Sequence, residues 1–317
     1  MKRLIGTVFT LLAFVAVPAT AQKTAQKKAT QWSDITEVVV RAPAAGPAMW
    51  KLTRGQSTVW VLGTLIVVPE NLKWDQKRLA RALNGAHVLI TPAVSRSDPA
   101  QAGQLQALSK LPANGRLYEV LSEPVYARFE ATVQREHLSI NDYIRFQPVI
   151  AAGNLSRDAL SAHGLSAMAL YEQMTTVVRK SKVRTRRAGS YDYSALIAYY
   201  VSLDAAQAEA CVVNGLDGLD YDLRTTQSMA KAWATGDLPA VMRLYREPDF
   251  LTCVLSGETT ADMYQTYAID SMTAAIGAAL DTPGKSVAIV PFDDLLRKDG
   301  VLDRLKAEGV EITAPSQ

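Results

Sequence analysis

The sequence predicts an α/β protein with a central mixed sheet formed by N- and C-terminal strands and a large helical middle section. Three observations carry that expectation. Apolar residues alternate with period two across Met49 to Thr64, a second apolar run stands at Ser286-Val287-Ala288-Ile289-Val290, and helical spacing dominates from Ala100 to Leu280. Strands at both ends with helices between them close into one sheet if the C-terminus returns to the N-terminal strands.

Of the 317 residues, 48% are hydrophobic and 21% charged, ordinary values for a soluble protein with one sizeable core. The first residues, MKRLIGTVFTLLAFVAVPATAQ, set Lys2 and Arg3 before an apolar stretch from Leu4 to Val17, with Ala19-Thr20-Ala21 as a small-x-small cleavage pattern. Residues 1–21 therefore read as a Sec-type signal peptide cleaved after Ala21. The other reading, an uncleaved anchor, needs a longer apolar stretch to span a bilayer. The expected location is periplasmic or secreted, with no membrane span left after cleavage. Removing Lys2 and Arg3 from the formal charge of +3 leaves +1, so nucleic acid has no electrostatic hold and is excluded as a partner. Partners are expected among envelope proteins, peptides or glycans.

Residues 22–46 are rich in Ala, Lys, Gln and Pro and read as a flexible linker, followed by one folded domain over 47–317. Within the linker, Glu37-Val38-Val39-Val40-Arg41-Ala42 is similar to a TonB box, a segment that docks by adding a strand to a partner's sheet edge; a plain extended linker reads the same way. Trp50 and Leu52, then Val59 and Val61, alternate on two strands joined at Gly55-Gln56-Ser57. A helix starts at Trp74-Asp75, places Leu79, Ala82 and Leu83 on one face and ends at Asn84-Gly85; His87 to Ile90 is the next strand. Helical spacing is clear at 123–136, 168–180, 224–235 and 259–280, interrupted by a strand candidate from Lys182 to Arg187. The helix Val301 to Glu308 and the strand Val310 to Ile312 close the chain.

Two cysteines, Cys211 and Cys253, are the only ones in the chain, and an exported protein keeps disulfides. A Cys211–Cys253 bridge is expected. Two buried thiols that never meet is the competing reading.

Groups that do chemistry are sparse. His87, His137 and His163 make no metal-ligand spacing, and Gly164-Leu165-Ser166-Ala167-Met168 lacks the last glycine of a nucleophile elbow. No P-loop or dinucleotide-binding glycine pattern occurs. Asp217, Asp220 and Asp222 have the wrong spacing for an EF-hand. The run RKSKVRTRR over 179–187 places Lys182, Arg184 and Arg186 on one side of a strand, where they would bind an anionic sugar or phosphate; a basic edge strand protected from self-pairing explains the same residues. The tyrosines of YDYSALIAYY, 191–200, suit a sugar-binding wall or simple packing at a helix boundary.

The chain resembles the TraB/GumN family, whose wider relatives include the TIKI metalloproteases and the ChaN/erythromycin-esterase-like fold. The resemblance rests on Met49-Trp50-Lys51-Leu52, on Val61-Leu62-Gly63-Thr64 with Pro69, Leu72 and Trp74, and on Ala82-Leu83-x-Gly85-Ala86. It continues through Ala232-Trp233-x-x-Gly236-Asp237-Leu238 and Asp299-Gly300-Val301-Leu302-x-x-Leu305-x-x-x-Gly309. The resemblance implies a metal-dependent hydrolase whose site uses two G-x-x-H motifs at strand ends and a glutamate at the end of another strand. Here the first motif reads Gly63-Thr64-Leu65-Ile66, so its histidine is Ile66. The glutamate position falls at or beside Pro92. The second motif reads Pro291-Phe292-Asp293-Asp294, with Asp294 in the histidine position. Asp294 before Leu295-Leu296 is also the expected helix N-cap. The resulting expectation is a metalloprotease-like fold with a replaced ligand set, a pseudoenzyme without cofactor that serves as a binding or envelope-accessory protein. The alternative is a divergent metal-dependent hydrolase, peptidase-like, acting on an envelope peptide or glycan through Asp293 and Asp294.

Overall fold

The computed structural model describes residues 46–96, 100, 102–245 and 260–315. The segments expected to be a signal peptide and, up to residue 45, a linker, including 37–42, lie outside the described residues, as does Cys253.

The chain enters through the hairpin β1 (Met49–Arg54) and β2 (Ser57–Thr64), in which Arg54 pairs with Ser57 across Gly55-Gln56. Gly55 turns the chain at φ +56°, a conformation without penalty only for glycine. Short β3 (Val68–Pro69) follows, then α1 (Lys77–Leu83), whose first turn is held by the Asp75 carboxylate accepting from Lys77 N–H at 2.8 Å. Leu79, Ala82 and Leu83 form its buried face, and β4 (Leu89–Thr91) and β5 (Val94–Arg96) come next.

Helices α2 (Ala102–Leu108), α3 (Leu117–Val120), α4 (Glu123–Arg135) and α5 (Pro148–Ala162) make up the first part of the helical middle. Then come β6 (Leu165–Ser166), α6 (Ala169–Ser181), β7 (Thr185–Arg187), β8 (Ser190–Asp192) and α7 (Tyr193–Ser202). The 31-residue α8 (Ala205–Thr235) is fixed at both ends: Asp204 and Gln207 form a reciprocal capping box, and Gly236 stops it at φ +80°. After α9 (Leu238–Leu244) and α10 (Thr260–Leu280), β9 (Gly284–Pro291) returns to the sheet. The chain ends with α11 (Phe292–Leu296), α12 (Val301–Ala307) and β10 (Glu311–Thr313).

The main sheet has six strands in the order β10-β1-β2-β9-β4-β7. The first two junctions are antiparallel and the remaining three parallel, so the sheet is mixed and joins both chain ends, as the sequence predicts. By register Trp50, Val61, Ala288 and Ile90 share one face, and all four are fully buried. Leu62 and Ile289 pair on the other face and are buried too, so helices cover both sides. α10 and α11 lie against β2, β4 and β9.

The helical middle has its own apolar centre of Leu117, Phe129, Val133, Tyr143, Leu155 and Leu216. α8 ties the two cores together, contributing Val212, Leu216 and Leu219 to the helical centre and Ala230 and Trp233 to the sheet core. Its rise of 1.5 Å per residue makes it about 46 Å long.

Asp217, Asp220 and Asp222 lie inside α8, in keeping with their spacing being wrong for an EF-hand, and Asp217 and Asp220 bind Arg128 and Arg135 of α4 at 2.7 and 2.6 Å, a helix-pairing face. Two local expectations change. The strand expected over Lys182 to Arg187 is shorter. Lys182 at φ +58° ends α6 in the left-handed conformation, and the strand begins only at Thr185. Asp294 is not an N-cap, because the helix starts directly from the strand end with Pro291 in that position, and Asp293 and Asp294 fall in the first turn.

The α4–α8 face continues to His163 just past α5. Glu136 is buried, bonded by Arg135 Nε at 2.7 Å and by His163 Nε2 at 2.8 Å. Burial alone would raise its carboxyl pKa, but the hydrogen bonds from Arg135 and His163 outweigh it and hold the group below its ordinary value. Glu136→Gln is expected to cost about 1–2 kcal/mol at neutral pH, discounted because Arg135 and His163 are half exposed. A depressed carboxylate stabilises above its unfolded pKa, so the deficit shrinks as pH falls below about 4.5. Urea denaturation at pH 7 and at pH 3.5 checks both size and sign.

Candidate functional site

The parallel junctions bring the expected site positions to one end of the sheet. Thr64, the last residue of β2, is the ladder partner of Pro291, the last residue of β9, and Gly63 pairs with Val290. The two four-residue segments therefore leave adjacent strands side by side. On the other side of β9, β4 ends at Thr91, and Pro92 follows immediately. This gathering of loops at the carboxyl ends of parallel strands is where open α/β sheets hold ligands.

Gly63 is fixed by packing. A Cβ there would lie 2.5 Å from the Phe292 ring, and the Gly63 carbonyl accepts from Trp233 Nε1 at 2.8 Å. Phe292 in turn meets Trp50 and Tyr245 edge-on, with centroids 6.1 and 6.4 Å apart. Thr64 is buried, its hydroxyl donating to Val290 O at 3.4 Å. Ile66 is 45% exposed at the lip, and Pro92 is half-buried.

Asp293 is buried beneath this surface. Its Oδ2 accepts from Gln265 Nε2 of α10 and lies 3.7 Å from Arg297 one turn on. Asp294 is half-buried. Burial first, and the charge of Asp293 second, push its carboxyl up to about 7 against the opposing pull of Arg297. Neither Gln265 nor Arg297 is singled out by the sequence: Gln265 arrives from α10 with no local signal, and the one signal for Arg297 is its i+4 spacing from Asp293.

Other expected site residues lie elsewhere. Arg184 and Arg186 are on the far edge of the sheet, and Lys182 ends α6. Tyr191 meets Tyr264 at a tilt with centroids 4.9 Å apart and Tyr200 is buried, so these two tyrosines pack against the body. His87 is exposed, His137 sits in a left-handed turn after α4, and Ser166 accepts from Met168 N–H in a tight turn. Cys211 is fully buried on α8; its expected partner Cys253 is outside the described residues.

Among the described residues, no group of three or more His, Cys, Asp or Glu side chains is placed to hold a metal ion. No single described helix is long and apolar enough to cross a membrane.

A mixed sheet whose parallel strands open at one end onto paired loop segments, flanked by a helical insert with its own core, defines an α/β protein of the strand-end-site type. The model of the TraB/PrgY/GumN family matches residues 48–314, and the chain belongs to that family. Comparison with curated proteins and with solved structures gave no match.

Proposed function

We propose that the protein is an exported, non-catalytic member of its family, a binding or envelope-accessory protein in the periplasm or outside the cell, with Cys211 and Cys253 bridged. The observation that carries this reading is the composition of the strand ends. Ile66 and Pro92 occupy two of the three positions expected to ligate, and neither side chain is a donor. Of the remaining carboxylates, Asp293 is engaged by Gln265 and Arg297, and Asp294 favours its protonated form up to about pH 7. A divalent cation needs several ionised or neutral donors converging on one point, so these residues do not fit one. Titration of the purified chain with manganese, cobalt and zinc, read by calorimetry and by metal content after desalting, is expected to give no stoichiometric binding. One tightly held ion, lost in Asp294→Ala, would overturn the proposal.

A second reading follows from Asp293 and Asp294 themselves. Adjacent carboxyls whose environments separate them, one held by a cationic and an amide neighbour and one kept protonated near neutrality, are a pattern found in acid–base pairs. In that case the protein is a divergent hydrolase of an envelope peptide or glycan. The test compares wild type with the Asp293→Ala/Asp294→Ala double variant on peptide and glycan substrates. The leading reading expects equal turnover in both, and a loss of activity of about a hundredfold or more in the double variant would establish the second.

A further inference from the structure

Among the described residues, β7 is the last strand of the sheet and bonds β4 on one side only. That ladder uses the carbonyl of Arg184, which accepts from Leu89 N–H at 2.9 Å, and the amide of Ala188, which donates to Thr91 O at 2.9 Å. In a parallel ladder alternate residues bond the same neighbour, so the N–H and C=O of Thr185 and Arg187 face away from β4. Thr185, Arg186 and Arg187 are all exposed. The open stretch has a defined end. The Tyr267 hydroxyl of α10 accepts from Ser190 N–H at 3.2 Å and donates to Ser190 O at 3.0 Å, occupying the outward groups there. Arg186 anchors the strand by donating to Ala275 O of α10 at 2.9 Å.

Charge is concentrated on the same edge. Residues 179–187 hold Arg179, Lys180, Lys182, Arg184, Arg186 and Arg187 and no acid, whereas the whole chain is only +3, leaving the remainder at −3. All six cations are exposed, and none forms an ion pair with a carboxylate among the described residues. Cations on an edge strand repel a second copy of the same edge, which prevents self-pairing. The same charges attract a strand of opposite sign, so the edge discriminates by charge while its backbone supplies the bonds.

We propose that the β7 edge takes an acidic, extended peptide as an added strand. Thr185 and Arg187 pair with its backbone, and Arg184 on one face and Arg187 on the other meet Asp or Glu side chains on the matching faces of the added strand. The pairing covers few residues, so affinity is modest and falls steeply with salt.

The test uses the full chain and a fluorescently labelled octapeptide of sequence Glu-Glu-Val-Val repeated twice, which presents Glu on both faces, read by anisotropy at low salt. Two comparisons need no change in the protein: the same peptide N-methylated at alternate positions, and phosphatidylglycerol vesicles. Two variants complete it, Arg184→Glu/Arg187→Glu and Thr185→Pro, each checked for unchanged circular dichroism and melting. The parent peptide is expected to bind, with affinity about tenfold or more lower for the double reversal. Thr185→Pro removes an outward N–H and is expected to weaken binding several-fold, as is N-methylation of the peptide. No binding of the parent peptide overturns the proposal. Equal binding of parent and N-methylated peptides, which would mean attraction to side chains alone, overturns it as well, and so does preference for the vesicles over the peptide.

Discussion

Gly63→Ala is expected to lower the unfolding free energy by about 3 kcal/mol, the upper end of the usual overpacking cost. The added methyl carbon would stand 2.5 Å from Phe292 Cε1 and 2.9 Å from Cδ1, well inside contact distance. Relief requires the ring to move. Phe292 is 1% exposed, Trp50 and Tyr245 meet it edge-on, and it leads α11 directly out of β9. The strand cannot yield either, since the Gly63 carbonyl holds Trp233 Nε1 and Gly63 sits in register with Val290. For a chain of this size the loss corresponds to a melting temperature lower by about 6–10 °C. Phe292→Leu should make room, so Gly63→Ala/Phe292→Leu is expected to be more stable than the sum of the single losses by about 1 kcal/mol or more. A tolerated alanine, within about 0.5 kcal/mol of wild type, would contradict this account.

That glycine shows which parts of the molecule the sequence makes legible. Gly63 is the first residue of a segment resembling G-x-x-H, and the resemblance alone gives it a place in a site. The structure gives it a packing role that persists without the histidine, because the constraint comes from Phe292 at the head of the companion segment. Elements with local causes are legible: the β1–β2 hairpin from its period-two alternation around Gly55, α1 from its apolar face of Leu79, Ala82 and Leu83, β9 from its apolar run. Elements set by distant contacts carry no such signal. Lys182 looked like the first residue of a basic strand, but α6 keeps its helical path until that residue turns left-handed. The sequence denies Asp217, Asp220 and Asp222 a calcium loop but gives them no role, because the arginine partners of Asp217 and Asp220 come from α4, far away in sequence. Around the strand-end site the order of strands decides everything. The placement of Thr64 against Pro291 follows from β9 inserting between β2 and β4, and the hold of Gln265 on Asp293 follows from α10 lying over that end; neither has a local signature.

Asp294→Asn is expected to stabilise the protein at pH 8 and to leave it near wild type at pH 3.5. The ordinary value of the group is 3.8 and the folded chain pushes it up to about 7. A carboxyl raised on folding favours the native state below its unfolded pKa, and that advantage is lost as pH rises through the folded value. At about 1.4 kcal/mol per pKa unit, the ceiling on the loss is about 4 kcal/mol above pH 7. An amide in the same half-buried place has its own hydrogen bonds to satisfy, so a net gain of about 2 kcal/mol at pH 8 is the expected reading. Melting temperatures of wild type and variant, followed from pH 3.5 to 8, should diverge as pH rises; parallel curves would contradict the raised value. The same series bears on the strand-end site. A cation captured there would have to drive the proton off Asp294, so saturating metal would add stability to wild type above pH 7 and none to Asp294→Asn. The absence of such a metal-dependent gap is what Ile66 and Pro92 lead us to expect, since a single carboxylate that resists ionisation, beside another already held by Gln265 and Arg297, leaves a cation too few oxygens to replace its water.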